Sequence, residues 1–270
     1  MREYLNSLRY TAGYNLIRKT LPFKIAKYLR YAWAPVPFRF VQIEISTVCN
    51  RKCFYCPNSS VGRPAHFMDE SVFFKIIGSL KEHDFGGSIV FSGYCEPLMD
   101  NRITSFVSYA KQQLPGISIR IITNGDFFTI DKYIELKNAG ADSFLISRHS
   151  KEPSDAMAMT LGLIKERFPN ERAIEINDVY NSGSKMNRGG LVDVESPRRL
   201  VGCPWPSVLN FDYAGNIILC CNDYNSSVVF GNINKDDIYS VWYDADFVKI
   251  RSKIYSGFLP YEMCHKCCNA

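Results

Sequence analysis

Three thiols in the run Cys49-Asn50-Arg51-Lys52-Cys53-Phe54-Tyr55-Cys56 stand at a four-residue and then a three-residue step. Thiolates so close in one loop form a soft-metal site before they form anything else. Four of them would close an iron–sulfur cluster. This loop supplies three and runs on through Pro57, Asn58, Ser59 and Ser60 without a fourth. A [4Fe–4S] cluster held by three thiolates keeps one iron for a small molecule, as catalytic zinc keeps one open position. The competing arrangement is a zinc knuckle, whose fourth ligand would have to be His66 or the more distant Cys95.

A second set of thiols lies near the end of the chain. Cys203, either Cys220 or Cys221, Cys264, and either Cys267 or Cys268 offer four ligands. Four thiolates close a cluster completely, so this one exchanges an electron or staples a small domain. A structural zinc would accept the same ligands. Between them, Val208–Tyr213 and Ile217–Cys221 around Ala214-Gly215-Asn216 predict a hairpin. One helix is expected from about Ile238 to Tyr255.

The C-x3-C-x2-C spacing with Tyr55 before the third Cys resembles the signature of the radical SAM superfamily. The resemblance implies that the free iron binds the amino and carboxylate groups of S-adenosyl-L-methionine (SAM), whose cleavage yields a 5′-deoxyadenosyl radical. Gly93-Tyr94-Cys95-Glu96-Pro97-Leu98 is similar to the family's Gly-Gly-Glu-Pro loop, with Tyr94 and Cys95 in place of glycines. There backbone carbonyls accept from the SAM amino group. Thr123-Asn124-Gly125 and Ser147 stand where relatives approach the SAM amino acid and ribose. The implied cofactor-binding residues are Tyr55, Tyr94, Cys95, Glu96, Asn124 and Ser147. Residues 201–270 resemble the SPASM domain in its shorter twitch form, with one auxiliary [4Fe–4S] cluster. Within that resemblance the Gly215-to-Cys spacing favours Cys220 over Cys221, and the final C-x2-C favours Cys267 over Cys268.

From Val41 to the end the chain is similar to twitch-domain dehydrogenases of aminocyclitols. This implies hydrogen abstraction from the carbinol of a sugar or (amino)cyclitol, with the auxiliary cluster taking an electron. Arg188 would hold the substrate oxygen and favour the alkoxide, Tyr94 would face the substrate, and His149 is a candidate to do so. Asn222, two after Cys220, replaces a carboxylate expected in such enzymes, so a neutral sugar or cyclitol, free or carrier-linked, fits as well as an amino-bearing one. The alternatives are a peptide-modifying maturase, a redox-neutral epimerase or dehydratase, and a non-catalytic metal-binding scaffold. The reductant implied is a flavodoxin- or ferredoxin-type protein.

The elements that must position these residues alternate. Phe40–Ser46, Ser88–Ser92, Ile117–Thr123, Asp142–Ser147 and Ala173–Asn177 predict strands. Helices are expected from Asp69 to Glu82, Asn101 to Gln113, Ile130 to Asn138 and Ser154 to Phe168, with Gly140 closing the third. Such βα units predict an α/β fold with a parallel sheet. Five or six fit residues 39–200, too few for an eightfold barrel. They suit the partial (β/α)6, TIM-like barrel that the resemblance implies, followed by a small Cys-rich α+β domain.

Residues 1–38 form a basic amphipathic extension, expected to be helical and split at Pro22. Residues 1–40 hold eight basic side chains and one acid against a net charge of +5 for the chain, so the remainder is slightly acidic. That argues against broad nucleic-acid binding. The extension is expected to pack outside the barrel, with peripheral membrane contact the alternative. No run is apolar for long enough to span a bilayer. No signal peptide is visible, and the thiols cluster at metal spacing, which together predict a cytoplasmic metalloprotein.

Overall fold

The computed structural model describes residues 37–151, 154–181, 186–194, 203 and 207–268, together with Ile25, Tyr28 and Leu29. The expected N-terminal helices and most of the stretch between Ser182 and Pro206 lie outside the described residues.

Five strands alternate with four helices. The strands are β1 (Phe40–Ile43), β2 (Ser88–Phe91), β3 (Ser118–Thr123), β4 (Ser143–Arg148) and β5 (Ile174–Asp178). The helices are α1 (Glu70–Glu82), α2 (Ile103–Gln113), α3 (Ile130–Ala139) and α4 (Asp155–Arg167). Each strand pairs in parallel with the next, with registers such as Val41↔Ile89, Ile89↔Ile119, Ile121↔Phe144 and Ile146↔Ile176. Strand side chains point alternately to the two faces of the sheet. Val41, Ile43, Ile89, Phe91, Ile119, Ile121, Phe144 and Ile146 are buried in one core with Phe73, Ile76, Phe106, Val107 and Leu136 of the helices. Gln42, Ile122, Leu145 and Asn177 stand on the opposite face and line a cavity. The partial barrel is thus packed outside and hollow inside.

Helix ends follow local chemistry. Thr129 Oγ1 accepts from the Lys132 amide at 3.1 Å to open α3, and Gly140 closes it in the left-handed conformation, as expected. Asp69 occupies the cap position of α1, but its side chain makes no capping bond. Its carbonyl serves the first turn instead. Strand β1 stops at Ile43 rather than Ser46. Past Glu44, whose amide still donates to Phe211 at 3.0 Å, the backbone leaves the ladder: the Ile45 carbonyl accepts from the Met68 amide at 2.7 Å, and Ser46 bridges to Phe67.

The C-terminal section joins the same sheet. Strand β6 (Leu209–Phe211) pairs in parallel with the free edge of β1, in register Val41↔Leu209. Strands β7 (Asn216–Ile218) and β8 (Val229–Asn232) follow antiparallel, giving the order β5-β4-β3-β2-β1-β6-β7-β8. The expected hairpin forms around Gly215, at φ 78, where an added Cβ would sit 2.6 Å from Ile233 and 2.8 Å from Val72 of α1. The single helix expected from Ile238 to Tyr255 is two: α5 (Ile238–Trp242) and α6 (Ala245–Ser256). Asp244 breaks it by accepting from the Asp246 and Phe247 amides, which starts a new helix. Helix α7 (Glu262–Cys268) carries the last three cysteines. No helix among the described residues is long and apolar enough to cross a membrane.

Candidate active site

The three-thiol loop leaves the C-terminal end of β1 and is clamped from two sides. Asn50 Nδ2 donates to Asp126 Oδ2 at 2.7 Å, and Arg51 meets the same carboxylate through Nε at 2.7 Å and Nη2 at 2.5 Å. The Arg51 guanidinium holds the Asp126 carboxyl below its usual range. Asn124 Nδ2 donates to Asn50 Oδ1 at 2.8 Å, so the side chain of Asn124 braces the loop. On the β2 side, the Glu96 amide donates to the Val48 carbonyl at 2.8 Å.

Cys49, Cys53 and Cys56 all face one cavity of about 380 Å³. The Arg51 amide points at Cys49 Sγ at 3.5 Å, and the Asn58 amide points at the Cys56 sulfur. Amide donors aimed at sulfur suit thiolates, and hydrogen bonds to sulfur help set a cluster's potential. His66, the nearest zinc-knuckle candidate, stacks on Tyr213 with ring centroids 5.1 Å apart and does not line this cavity.

Glu96 is 1% exposed and fully occupied. It accepts from Thr123 Oγ1 at 2.7 Å, the Asn124 amide at 2.6 Å and the Leu98 amide at 3.0 Å. Burial pushes its carboxyl up, and these donors pull it back. Its carboxylate therefore sews the β2 and β3 loops together. Tyr94 donates its amide to Glu44 Oε1 at 2.7 Å and accepts at its carbonyl from Asn58 Nδ2 at 2.6 Å, which leaves that carbonyl one lone pair. The Cys95 carbonyl accepts from none of the described residues, and Cys95 lines the cavity. The Cys95 thiol is hydrogen-bonded to Ser46, and Ser147 is buried at the cavity wall. Tyr55 meets His149 Nδ1 in a short hydrogen bond. Burial and then Arg51 push the His149 imidazole down to about 4, so it is neutral near pH 7.

The opposite wall comes from the C-terminal section. Arg188 sits on a turn, Arg188–Gly190, in a left-handed conformation at φ 51. Asn187 Nδ2 anchors that turn to the Lys266 carbonyl of α7 at 2.8 Å. Arg188 Nη1 donates to Asn222 Oδ1 at 2.8 Å, its guanidinium lies 5.7 Å from the Tyr94 ring centre, and its buried Nε has no partner among the described residues. Asn222, 2% exposed, also reaches Cys267 Sγ at 3.6 Å.

Behind this wall Cys203, Cys220, Cys264, Cys267 and Cys268 enclose a second, small space. Cys220 receives an amide from Asn222, Cys264 one from Tyr261, and Cys267 one from Gly189. Cys268 meets the Cys203 thiol instead. Cys221 faces away, into the first cavity beside Arg188. None of the ten cysteines is joined in a disulfide. The donor set therefore suits a three-thiolate cluster in one cavity and a four-thiolate cluster behind it. Sequence reasoning missed the Glu44, Asn50, Asn58 and Asp126 contacts, which join residues distant in sequence and carry no motif.

The sequence profile of the radical SAM superfamily matches residues 43–177, half of the chain. The chain belongs to the radical SAM superfamily. A second profile, the SPASM iron–sulfur cluster-binding domain, matches residues 203–268. SAM and [4Fe–4S] clusters are therefore its cofactors. The chain is 29% identical over 246 residues to the S-adenosyl-L-methionine-dependent 2-deoxy-scyllo-inosamine dehydrogenase of Niallia circulans, covering 86% of this chain and 93% of that one. The crystal structure of BtrN in complex with AdoMet and 2-DOIA superposes with a TM-score of 0.76 at 27% identity, over 87% of this chain and 93% of that one. The anSMEcpe enzyme with bound AdoMet, at 14% identity and a TM-score of 0.56 over 86% of each chain, shares the fold. Radical SAM membership accounts for the partial barrel and for the thiol loop at the end of β1.

Proposed function

We propose that this radical SAM protein is an oxidoreductase that oxidises a carbinol of a sugar or cyclitol to a ketone. The observation that carries the reading is one cavity walled on one side by the three-thiol loop and on the other by Arg188 and Asn222, which abut the second thiol set. The likeness to a dehydrogenase along nearly the whole chain supports it.

Cys49, Cys53 and Cys56 hold the SAM-binding cluster in this reading, and Cys203, Cys220, Cys264 and Cys267 the auxiliary one. When bound, the first cluster with SAM supplies a hydrogen-atom acceptor, and the second supplies an electron sink. The chain's own residues handle the rest. The Cys95 carbonyl receives the SAM ammonium, and Ser147 meets the ribose. Arg188 binds the substrate hydroxyl and stabilises its oxygen as the proton passes to solvent water, because a guanidinium stays charged and keeps donors to spare. The Tyr94 hydroxyl, buried and unpartnered among the described residues, hydrogen-bonds the substrate. Asn222 holds Arg188 in line. Residues 39–200 form the catalytic unit and 201–270 the auxiliary-cluster unit.

Asn222 offers a neutral oxygen where a carboxylate would pair with an ammonium, so a neutral polyol is the favoured substrate. A flavodoxin- or ferredoxin-type protein would reduce the catalytic cluster. Thiols gathered at metal-ligand spacing, none of them joined in a disulfide, support a reducing compartment, the cytoplasm. The test is a panel of neutral and amino-bearing cyclitols and sugars with the reconstituted enzyme and its Asn222→Asp variant. Neutral polyols should stimulate SAM cleavage and yield ketone, and Asn222→Asp should swing preference towards amino substrates by about 10-fold, or about 1.4 kcal/mol. Failure of every polyol to stimulate SAM cleavage would contradict the reading.

A further inference from the structure

Glu44, 5% exposed, stands just past β1 with its carboxylate in a bidentate pair with Arg63, at 2.7 and 3.0 Å. An isolated buried carboxylate is strongly disfavoured, so the pair holds both partners in place. Arg63 lies beyond the thiol loop and reaches further. Its Nη1 donates to the Tyr224 carbonyl at 3.2 Å, and its guanidinium covers the Tyr224 ring at 4.4 Å. Tyr224, 1% exposed and four residues past Cys220, donates its hydroxyl to Asn58 Oδ1 at 2.8 Å. Asn58 is two residues past Cys56, and its Nδ2 holds the Tyr94 carbonyl. The ring of buried contacts closes where Glu44 accepts the Tyr94 amide. Tyr94 itself packs edge-on to Tyr224 at 4.8 Å, with Arg63 and Arg188 each 5.7 Å from its ring centre.

We propose that Glu44, Arg63, Asn58 and Tyr224 form a lock that fixes the catalytic-cluster loop against the auxiliary-cluster loop and aims Tyr94 at the substrate. These four are positioning residues. The loops they join follow Cys56 on one side and Cys220 on the other, so the lock sets the geometry across which an electron must leave the substrate. The aim of Tyr94 rests on the dehydrogenase reading; the lock between the loops does not.

The test uses the fully reconstituted chain. Tyr224→Phe keeps the ring and removes only the bond to Asn58. The double variant Glu44→Gln/Arg63→Met removes both charges together, so that no buried charge is stranded. Tyr224→Phe should retain full iron content and SAM affinity while KM for the polyol rises by about 10-fold and 5′-deoxyadenosine forms in excess over ketone. The double variant should change the spin relaxation that the two reduced clusters impose on each other. A lower melting temperature with unchanged KM and an unchanged ratio of 5′-deoxyadenosine to ketone would overturn the proposal, since a merely structural role does no more. If the wild type oxidises no polyol, the dehydrogenase reading fails by itself. The lock is then judged on relaxation, and wild-type relaxation in the double variant overturns it.

Discussion

Replacing Cys49, Cys53 and Cys56 together by Ala should abolish SAM cleavage and lower the iron content from about eight to about four per chain. The loop holding these thiols lies outside the barrel core. It is fastened by Asn50 and Arg51 to Asp126 and by Asn124 to Asn50, none of which depends on the thiols. The apolar core of Ile43, Phe73, Phe91, Phe106 and Phe144 is untouched, so the variant should fold. The second thiol set is walled off behind Arg188 and Asn222 and should still load. Iron and sulfide counts with EPR of the reduced protein check this. Wild type should show two reduced signals, one of them perturbed by SAM, and the variant a single signal indifferent to SAM. Eight irons in the variant, or surviving 5′-deoxyadenosine formation, would place the SAM cluster elsewhere.

Arg188→Met should lower ketone formation by about 10²–10³-fold while SAM still binds. Arg188 is held in an uncommon left-handed conformation, which costs about 1–3 kcal/mol and persists only because its surroundings impose it. Those surroundings are visible. Asn187 ties the turn to Lys266, and an added Cβ at Gly190 would sit 2.5 Å from the Lys266 side chain. One guanidinium nitrogen goes to Asn222, and the buried Nε has no partner among the described residues. Arg188→Lys keeps the charge but loses the fork, so it should recover only part of the rate. Steady-state rates with product and 5′-deoxyadenosine counted together are the measurement. An Arg188→Met enzyme with wild-type kcat and KM would make this residue only a part of the turn that packs against α7.

Much of this was legible in the sequence because the decisive signals are local. Thiol spacing, strand alternation from Val41 to Ile43 and from Ile119 to Thr123, and Thr129 and Gly140 at the ends of α3 each act within a few residues. What was not legible depends on the chain returning to itself. Nothing near Leu209 announces that β6 will pair in parallel with β1 and so carry Asn222 and Tyr224 to the barrel mouth. Glu44 and Arg63 are nineteen residues apart and belong to no motif. Tyr94 and Cys95, in place of two glycines, read as a weakened loop in the sequence. In the fold, Tyr94 donates its amide to Glu44 and accepts at its carbonyl from Asn58, while the Cys95 carbonyl has no donor among the described residues. Asp244 is the one missed signal that local reasoning could have found, since an Asp before Ala-Asp-Phe is a helix start.

The most direct test of the central claim is a single anaerobic turnover with a polyol deuterated at its carbinol carbons, followed by mass spectrometry of both products. A cavity serving both thiol sets predicts deuterium in 5′-deoxyadenosine, one ketone formed per 5′-deoxyadenosine, and an auxiliary cluster that gains one electron. Deuterium transfer with the product still an alcohol, epimerised or dehydrated, would contradict the account and leave the second cluster without a part in the chemistry.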